Sequence, residues 1–244
     1  MTIASIVIRA KNEARDIADT LSRVSQQTDV GEFEVIVIDS GSTDGTVDIV
    51  RGFPGRLIEI PSESFSYGRA LNLGVQAARG EVVVSLSAHS LPADEHWLAH
   101  LLVPFRDPTV AGAYGRHLPR PNATIFELFG MWLSGVMSET PRRQERDMMF
   151  SNANGAFRRD LALEHPFDEH IPGAEDLAWA DWVQRQGWAI YYEPRAAAYH
   201  SHGESLPRLL HRIFKDQPTI VGLKLGLLGR RGSAQATPVP AFRE

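Results

Sequence analysis

The sequence predicts an α/β protein whose core is a mostly parallel, doubly wound sheet. Two observations carry this: short β-branched runs recur over the first hundred residues, and a segment with helical spacing separates each from the next. Such alternation marks βαβ units, whose crossovers are almost always right-handed and whose ligands gather at the carboxyl ends of the strands. A third observation is that 43% of the 244 residues are hydrophobic, enough for a substantial buried core.

The elements follow in order. Ile3 to Ile8 reads as the first strand, and Ile17, Leu21 and Val24 form the apolar face of the first helix. Glu34 to Ile38 is the second strand, with Ser42 and Asp44 ahead of a second helical segment. Leu57 to Ile60 is the third strand. Ser66 then stands before a helix from Arg69 to Ala78 that Gly80 would stop. Glu81 to Leu86 is the fourth strand. From about residue 104 prolines at 104, 108, 119 and 121 break the pattern; a helix-like stretch, Ile125 to Met137, and a charged loop, Pro141 to Asp147, follow. Residues 1–228 are expected to form one domain, with an α+β elaboration over 104–204 and a C-terminal helical segment at 205–228. Residues 229–244 lack apolar periodicity and read as a mobile tail.

Composition excludes several classes. A net charge of −5 gives no basic surface for nucleic acid, so an anionic ligand must meet a local site. The chain has no cysteine, which removes disulfides, thiolate metal sites and cysteine nucleophiles. The first apolar stretch is about seven residues, too short for a signal core or a membrane span. The expectation is a cytoplasmic protein.

The chemistry-bearing residues cluster after the strands. The second strand ends in Asp39-Ser40-Gly41-Ser42-Thr43-Asp44-Gly45-Thr46, an acid at a strand's carboxyl end followed by a turn. In such folds that acid contacts a nucleoside, or else it caps the turn, and spacing alone leaves both open. Three motifs in order, Ser5 to Glu13, Val37 to Thr46 and Gly68 to Gly74 followed by Ala78-Arg79-Gly80-Glu81, resemble the family-2 glycosyltransferases of the GT-A fold over roughly residues 1–200. The stretch Phe65 to Arg69 and the pair Leu91-Pro92 are similar to polysaccharide and lipopolysaccharide members, including rhamnosyltransferase-like ones.

The resemblance implies residue roles. Residues 1–103 would be the half that binds the nucleotide sugar and 104–204 the acceptor and catalytic half. Arg9, Asn12, Glu13 and Asp39, with Ser40, would surround the base and ribose, and Arg69 would lie near the diphosphate. Where the family carries Asp-x-Asp, this chain has Ser87-Ala88-His89, of which Ser87 and Ala88 would join the residues that bind the donor. His89 is then expected either to ligate a divalent cation, Mn²⁺ favoured over the oxygen-preferring Mg²⁺, or to contact the diphosphate directly. In Tyr199-His200-Ser201-His202 the family places a further metal or diphosphate contact, which points to His202 before His200. The pair Glu175-Asp176 opens a helical segment in which Leu177, Ala180 and Val183 fit a buried face; Asp176 would be the general base and Glu175 an acceptor-binding neighbour.

The function implied is inverting transfer of a sugar from a nucleotide-diphosphate donor to a hydroxyl of a glycan or lipid-linked acceptor, in surface polysaccharide synthesis. Two rivals are a degenerate module that binds without chemistry and a nucleotidyltransferase. The latter is disfavoured because no glycine-rich, lysine-bearing phosphate loop follows the first strand. Leu206 to Lys215 and Val221 to Leu228 interleave basic and apolar residues and read as bundle packing, a homodimer contact, or an interfacial helix for peripheral membrane association.

Overall fold

The computed structural model describes residues 4–201, together with 206, 207, 210 and 220–222. The expectations for residues 229–244 and for His202 fall outside the described residues, as does most of the C-terminal helical segment.

The first half is the alternation the sequence predicts. Strands β1 (Ala4–Ala10), β2 (Phe33–Asp39), β3 (Arg56–Glu59) and β4 (Val82–Ser87) are joined by helices α1 (Ile17–Ser25), α2 (Thr46–Arg51) and α3 (Tyr67–Ala77). All three of their pairings are parallel. Further along come β5 (Leu91–Pro92), α4 (Trp97–Leu102), β6 (Val110–Leu118), α5 (Ile125–Leu133), β7 (Arg142–Gln144), β8 (Asn154–Arg158), α6 (Arg159–Glu164), α7 (Glu175–Arg185) and β9 (Ala189–Tyr199). Among the described residues the sheet has nine strands and runs β3-β2-β1-β4-β8-β6-β9-β5, with β7 on β9. Strand β8 is antiparallel to β4 and to β6, while β6 and β9 are parallel. Hence β1, β2, β3, β4, β6 and β9 all point one way and end at one edge.

Period-two alternation sorts the strand side chains into two cores. Ile6 and Ile8 of β1, Val35 and Val37 of β2, and Val82, Val84 and Leu86 of β4 pack with Ile17, Leu21 and Val24 of α1 and Trp97, Leu98 and Leu101 of α4. Val7, Ile36, Ile38 and Val83 face the other way, against α3, α6 and the Trp179, Ala180 and Val183 face of α7. Both faces of the sheet are therefore covered, as parallel strands require.

Four local expectations need correction. Ser66 does cap α3, accepting a hydrogen bond from the Arg69 N–H at 3.1 Å, but the helix ends at Ala77 where Ala78 turns extended. Gly80 lies beyond the stop, its N–H bound to Ser5 Oγ at 2.9 Å. The helix expected to reach Met137 ends at Leu133, because Gly135 takes a left-handed φ of +72° and closes the last turn through Trp132 O. The charged loop contains β7, an edge strand pairing with β9; Arg142 lies 4.3 Å from the centroid of the Tyr192 ring, and arginines at an edge discourage further pairing. On α7, Trp179 rather than Leu177 fills the core, and Leu177 is half-buried.

The β6–β9 pairing is irregular: Gly115 faces Glu193, but His117 already faces Ala198. The extra residues of β9 press the Ala196 carbonyl against Gly115, where a Cβ would lie 1.8 Å from that oxygen. Gly115→Ala is therefore expected to cost about 1–3 kcal/mol through forced backbone displacement. Urea unfolding of the variant checks it; an unchanged midpoint would show that the bulge yields freely.

Candidate active site

Two loops at the common edge lock together. Asn12 takes a left-handed φ of +56°, and its Oδ1 accepts from the Thr43 N–H at 2.8 Å while its own N–H donates to Ser42 Oγ at 2.8 Å. The Glu13 N–H donates to Thr46 Oγ1 at 2.8 Å and the Ala14 N–H to Asp44 Oδ2 at 3.1 Å. Thr46 also holds the Asp44 carboxyl below its ordinary range by donating its hydroxyl. Asp39 is 1% exposed, with Oδ1 accepting from the N–H groups of Gly41 and Ser42 and Oδ2 from the Ser42 hydroxyl. Of the two readings left open for Asp39, the structure displays the turn cap. Ser40 is fully buried and its Oγ has no hydrogen-bond partner, while its carbonyl accepts from Ser62 Oγ.

The triplet in place of Asp-x-Asp splits into different roles. The Ala88 side chain is fully buried, its N–H donates to Arg9 O at 3.3 Å and its carbonyl accepts from Thr20 Oγ1 at 2.7 Å. Both its polar groups are thus used inside the fold, and its side chain packs in the core. His89 is half-buried, with Nδ1 2.8 Å from Glu13 Oε1 and Nε2 3.2 Å from Ser87 Oγ. A carboxylate on Nδ1 orients the ring, the arrangement that also supports metal-ligating histidines, and sets Nε2 against Ser87 Oγ. Strand β5, two residues after His89, pairs Leu91 with Tyr199 of β9. That register brings His200 onto His89, rings stacked at 5.0 Å, and His117 edge-on to His200 at 5.2 Å. Ser90 Oγ lies 2.8 Å from His200 Nδ1.

A cleft of about 450 Å³ opens beside this column, lined by Glu13, Arg15, Asp16, His89, Arg120, Pro121, Asn122 and Ser201. Arg120 and Asp16 close one wall through a 2.7 Å ion pair. The lining offers one imidazole backed by one carboxylate, beside two arginines. Among the described residues no group of three or more His, Asp or Glu is arranged to hold a metal by itself.

The acidic pair opens α7 directly after Ala174, a non-glycine residue at φ +63°. Glu175 is buried and turned inward: Oε1 meets Arg9 Nη1 at 3.2 Å and accepts from Asn152 Nδ2 at 3.3 Å. Arg9 in turn donates to Asn152 O at 3.3 Å and lies 5.4 Å from the centroid of the Tyr67 ring. Arg9, expected near the base, is thus spent on the acidic helix, and Glu175, expected to touch the acceptor, is spent on Arg9 and Asn152. Asp176 accepts from the N–H groups of Asn152 at 3.2 Å and Leu177 at 2.9 Å. Burial, and then the Glu175 charge, push its pKa up to about 7 against the pull of those N–H groups and of Arg9. A carboxylate so tuned can exchange a proton near neutrality.

Asn152 joins the two halves. Its carbonyl accepts from Ser85 Oγ of β4 at 2.6 Å, its N–H reaches Asp176, and the adjacent Ala153 O accepts from the Ser87 N–H at 3.2 Å. The loop before β8 thereby ties the end of β4 to the start of α7. Arg69 lies apart from this knot, its Nη1 3.4 Å from Glu169 Oε2 and its Nε buried without a partner. Asn152 falls within Ser151 to Asp160, a stretch that resembles the family's acceptor-side strand, but nothing in the sequence assigned it a part in joining the halves, or any part to His117 or the Asp16–Arg120 pair. A buried asparagine leaves no periodic signal, and Asp16 and Arg120 stand 104 residues apart.

The chain matches the family described as "Glycosyl transferase family 2" over residues 5–164. It is 27% identical over 220 residues to the O-antigen chain rhamnosyltransferase RfbN of Salmonella typhimurium, covering 86% of this chain and 70% of that protein. With the O-antigen chain rhamnosyltransferase WbaN of Salmonella anatum the identity is 29% over 192 residues, covering 74% and 60%. The match to WbaN thus takes in less than two thirds of that relative's length. Among solved structures, the mannosyltransferase PcManGT from Pyrobaculum calidifontis, in complex with GDP-Man and Mn²⁺, aligns with a TM-score of 0.72 at 23% identity over 96% of this chain and 66% of that one. Glucosyl-3-phosphoglycerate synthase from Mycobacterium tuberculosis, in complex with UDP, aligns with a TM-score of 0.66 at 20% identity over 95% and 82%. These likenesses establish the fold, which is the GT-A arrangement that the motifs imply.

Proposed function

The chain belongs to glycosyl transferase family 2, and on that premise we propose that it moves a sugar from a nucleoside-diphosphate donor to a hydroxyl of a glycan or lipid-linked glycan, with inversion and with Asp176 as base. The observation that carries the reading is the Asn152 loop, which sets Asp176 beside the end of β4, where the family's donor motif falls. In the proposed step the acceptor oxygen attacks the anomeric carbon, the bond from that carbon to the diphosphate oxygen breaks, and the hydroxyl proton passes to Asp176. Arg69 retains guanidinium donors for the diphosphate, since Glu169 takes only one long contact. Glu175 positions and tunes Asp176 and does not itself meet the acceptor. His89, oriented by Glu13, would hold a divalent cation against the diphosphate, and the cation would neutralise charge on the leaving group.

The rhamnosyltransferase relatives favour a deoxyhexose and a surface-polysaccharide acceptor, and the GDP-Man, Mn²⁺ and UDP of the structural neighbours favour a nucleotide sugar with a cation. The reading places the reaction in the cytoplasm, at the membrane's inner face. Among the described residues no helix is long and apolar enough to cross a membrane.

Thermal-shift titration with UDP, GDP and dTDP, each with and without Mn²⁺, tests the donor side. The matching nucleotide at a hundred times its Kd is expected to stabilise the fold by about 2.7 kcal/mol. Tighter binding with Mn²⁺ supports His89 as ligand, and metal-independent binding favours a direct imidazole contact. Release of the nucleoside diphosphate on adding acceptor separates a transferase from a module that only binds.

A further inference from the structure

Helix α5 is inside out. A capping box starts it, Thr124 accepting from the Glu127 N–H and the Glu127 carboxylate accepting from the Thr124 N–H at 2.9 Å. Glu127, the helix's one charged residue, is buried, while Ile125 is 73%, Phe129 61%, Trp132 69% and Leu133 70% exposed and Phe126 is exposed beside them. A helix in water shows the reverse distribution, and one without a charged outer face is normally covered.

The surroundings of α5 say what covers it. Strand β6 leads into the helix from the edge at which β4 ends, and Asn122, three residues before Ile125, lines the cleft beside His89. The apolar face thus borders the site. A second copy is a poor cover: nine residues make a rod of about 13.5 Å, and two such rods face to face bury on the order of 600 Å², half of what a specific interface needs. A bilayer demands no matching shape, and Trp with Phe is the composition that settles at its interface.

We propose that α5 is a docking element whose exposed face enters the interfacial layer of a phospholipid bilayer and holds the cleft against the membrane surface. This goes beyond the transfer reaction and does not depend on which donor or acceptor is used. The binding it invokes is apolar and draws on the exposed residues of α5 alone.

The test is co-sedimentation of the full chain with phosphatidylcholine vesicles, with and without phosphatidylglycerol, at low and high salt, for the wild type, the double variant Phe129→Ser with Trp132→Ser, and Leu133→Asp. All three substituted side chains are exposed, and retention of the nucleotide-induced thermal shift verifies that each variant folds and binds as before. The expected result is salt-resistant binding to both vesicle types that falls at least about tenfold in the double variant and falls in Leu133→Asp. Equal partitioning of wild type and variants overturns the proposal, as does binding that needs phosphatidylglycerol and vanishes at high salt. Absence of vesicle binding, with or without a dimer that the double variant dissolves, assigns the face to another copy or another stretch of this chain and likewise overturns it. Loss of nucleotide binding by the wild type would count against the transfer reading alone.

Discussion

Asp176→Asn is expected to lose transfer by about 10²- to 10⁴-fold, the range a general base supplies, while donor binding stays intact and the folded state becomes more stable above neutrality. The two effects share one cause. An amide is isosteric with the carboxylate, but its one oxygen replaces only one of the two acceptors, Oδ2 toward the Asn152 N–H or Oδ1 toward the Leu177 N–H; it cannot take a proton and carries no charge beside Glu175, and the unmatched N–H offsets part of the gain in stability. The native carboxyl is raised from 3.8 to about 7. Below the lower value both folded and unfolded chains hold the proton and Asp176 contributes nothing. Between 3.8 and about 7 only the folded chain holds it, so stability falls as pH rises, and above that window the whole destabilisation is present. Removing it should return of the order of 1–3 kcal/mol at pH 8 and nothing at pH 3. Wild-type turnover should rise tenfold per pH unit up to about 7 and then level. Denaturant melts at two pH values and a pH–rate profile measure both effects. Comparable turnover in the variant would remove Asp176 from the mechanism, and equal stability at pH 8 would mean that solvent already screens the pair.

The second large effect belongs to Arg9, through its neighbours. Arg9→Ala is expected to destabilise the fold by about 3–5 kcal/mol, because Glu175 is left as a buried charge without its partner. It should also displace the pH–rate profile upward, since Arg9 is one of the forces holding the Asp176 pKa down. Glu175→Gln should displace the profile the other way, as the neighbouring negative charge is among the forces raising it. Opposite displacements from two residues that are themselves an ion pair are hard to obtain from loosening of the structure alone. A profile unmoved by both substitutions would mean that the titrating group is elsewhere.

The fold was legible where periodicity is local. Residues 4–8 and 35–38 alternate between the two cores as their β-branched spacing implies, and Ile17, Leu21 and Val24 share the buried face read from their positions. The order of strands beyond β4 was not, because it is set by antiparallel insertion of β8 and by the irregular register of β9, neither of which has a short-range signature. The site shows the same division. Motif likeness singled out Asp176, His89 and the loop after β2, whereas the meeting of Arg9 with Glu175 spans 166 residues, a separation over which spacing carries no information. Asp39 and Ala88, expected to touch a ligand, also carry the framing of the site, since a loop that cradles anything must first satisfy its own backbone.

Because six strands end together, the opposite rim of the sheet is left with plain connectors: the turns around residues 53–55, 79–81, 107–109 and 186–188. Chemistry and scaffolding are thereby assigned to opposite poles of one molecule. A dye, a surface tether or a fused protein attached at Gln186, which is exposed and has an ordinary φ of −82°, would leave the working pole unobstructed and fix the direction in which it faces.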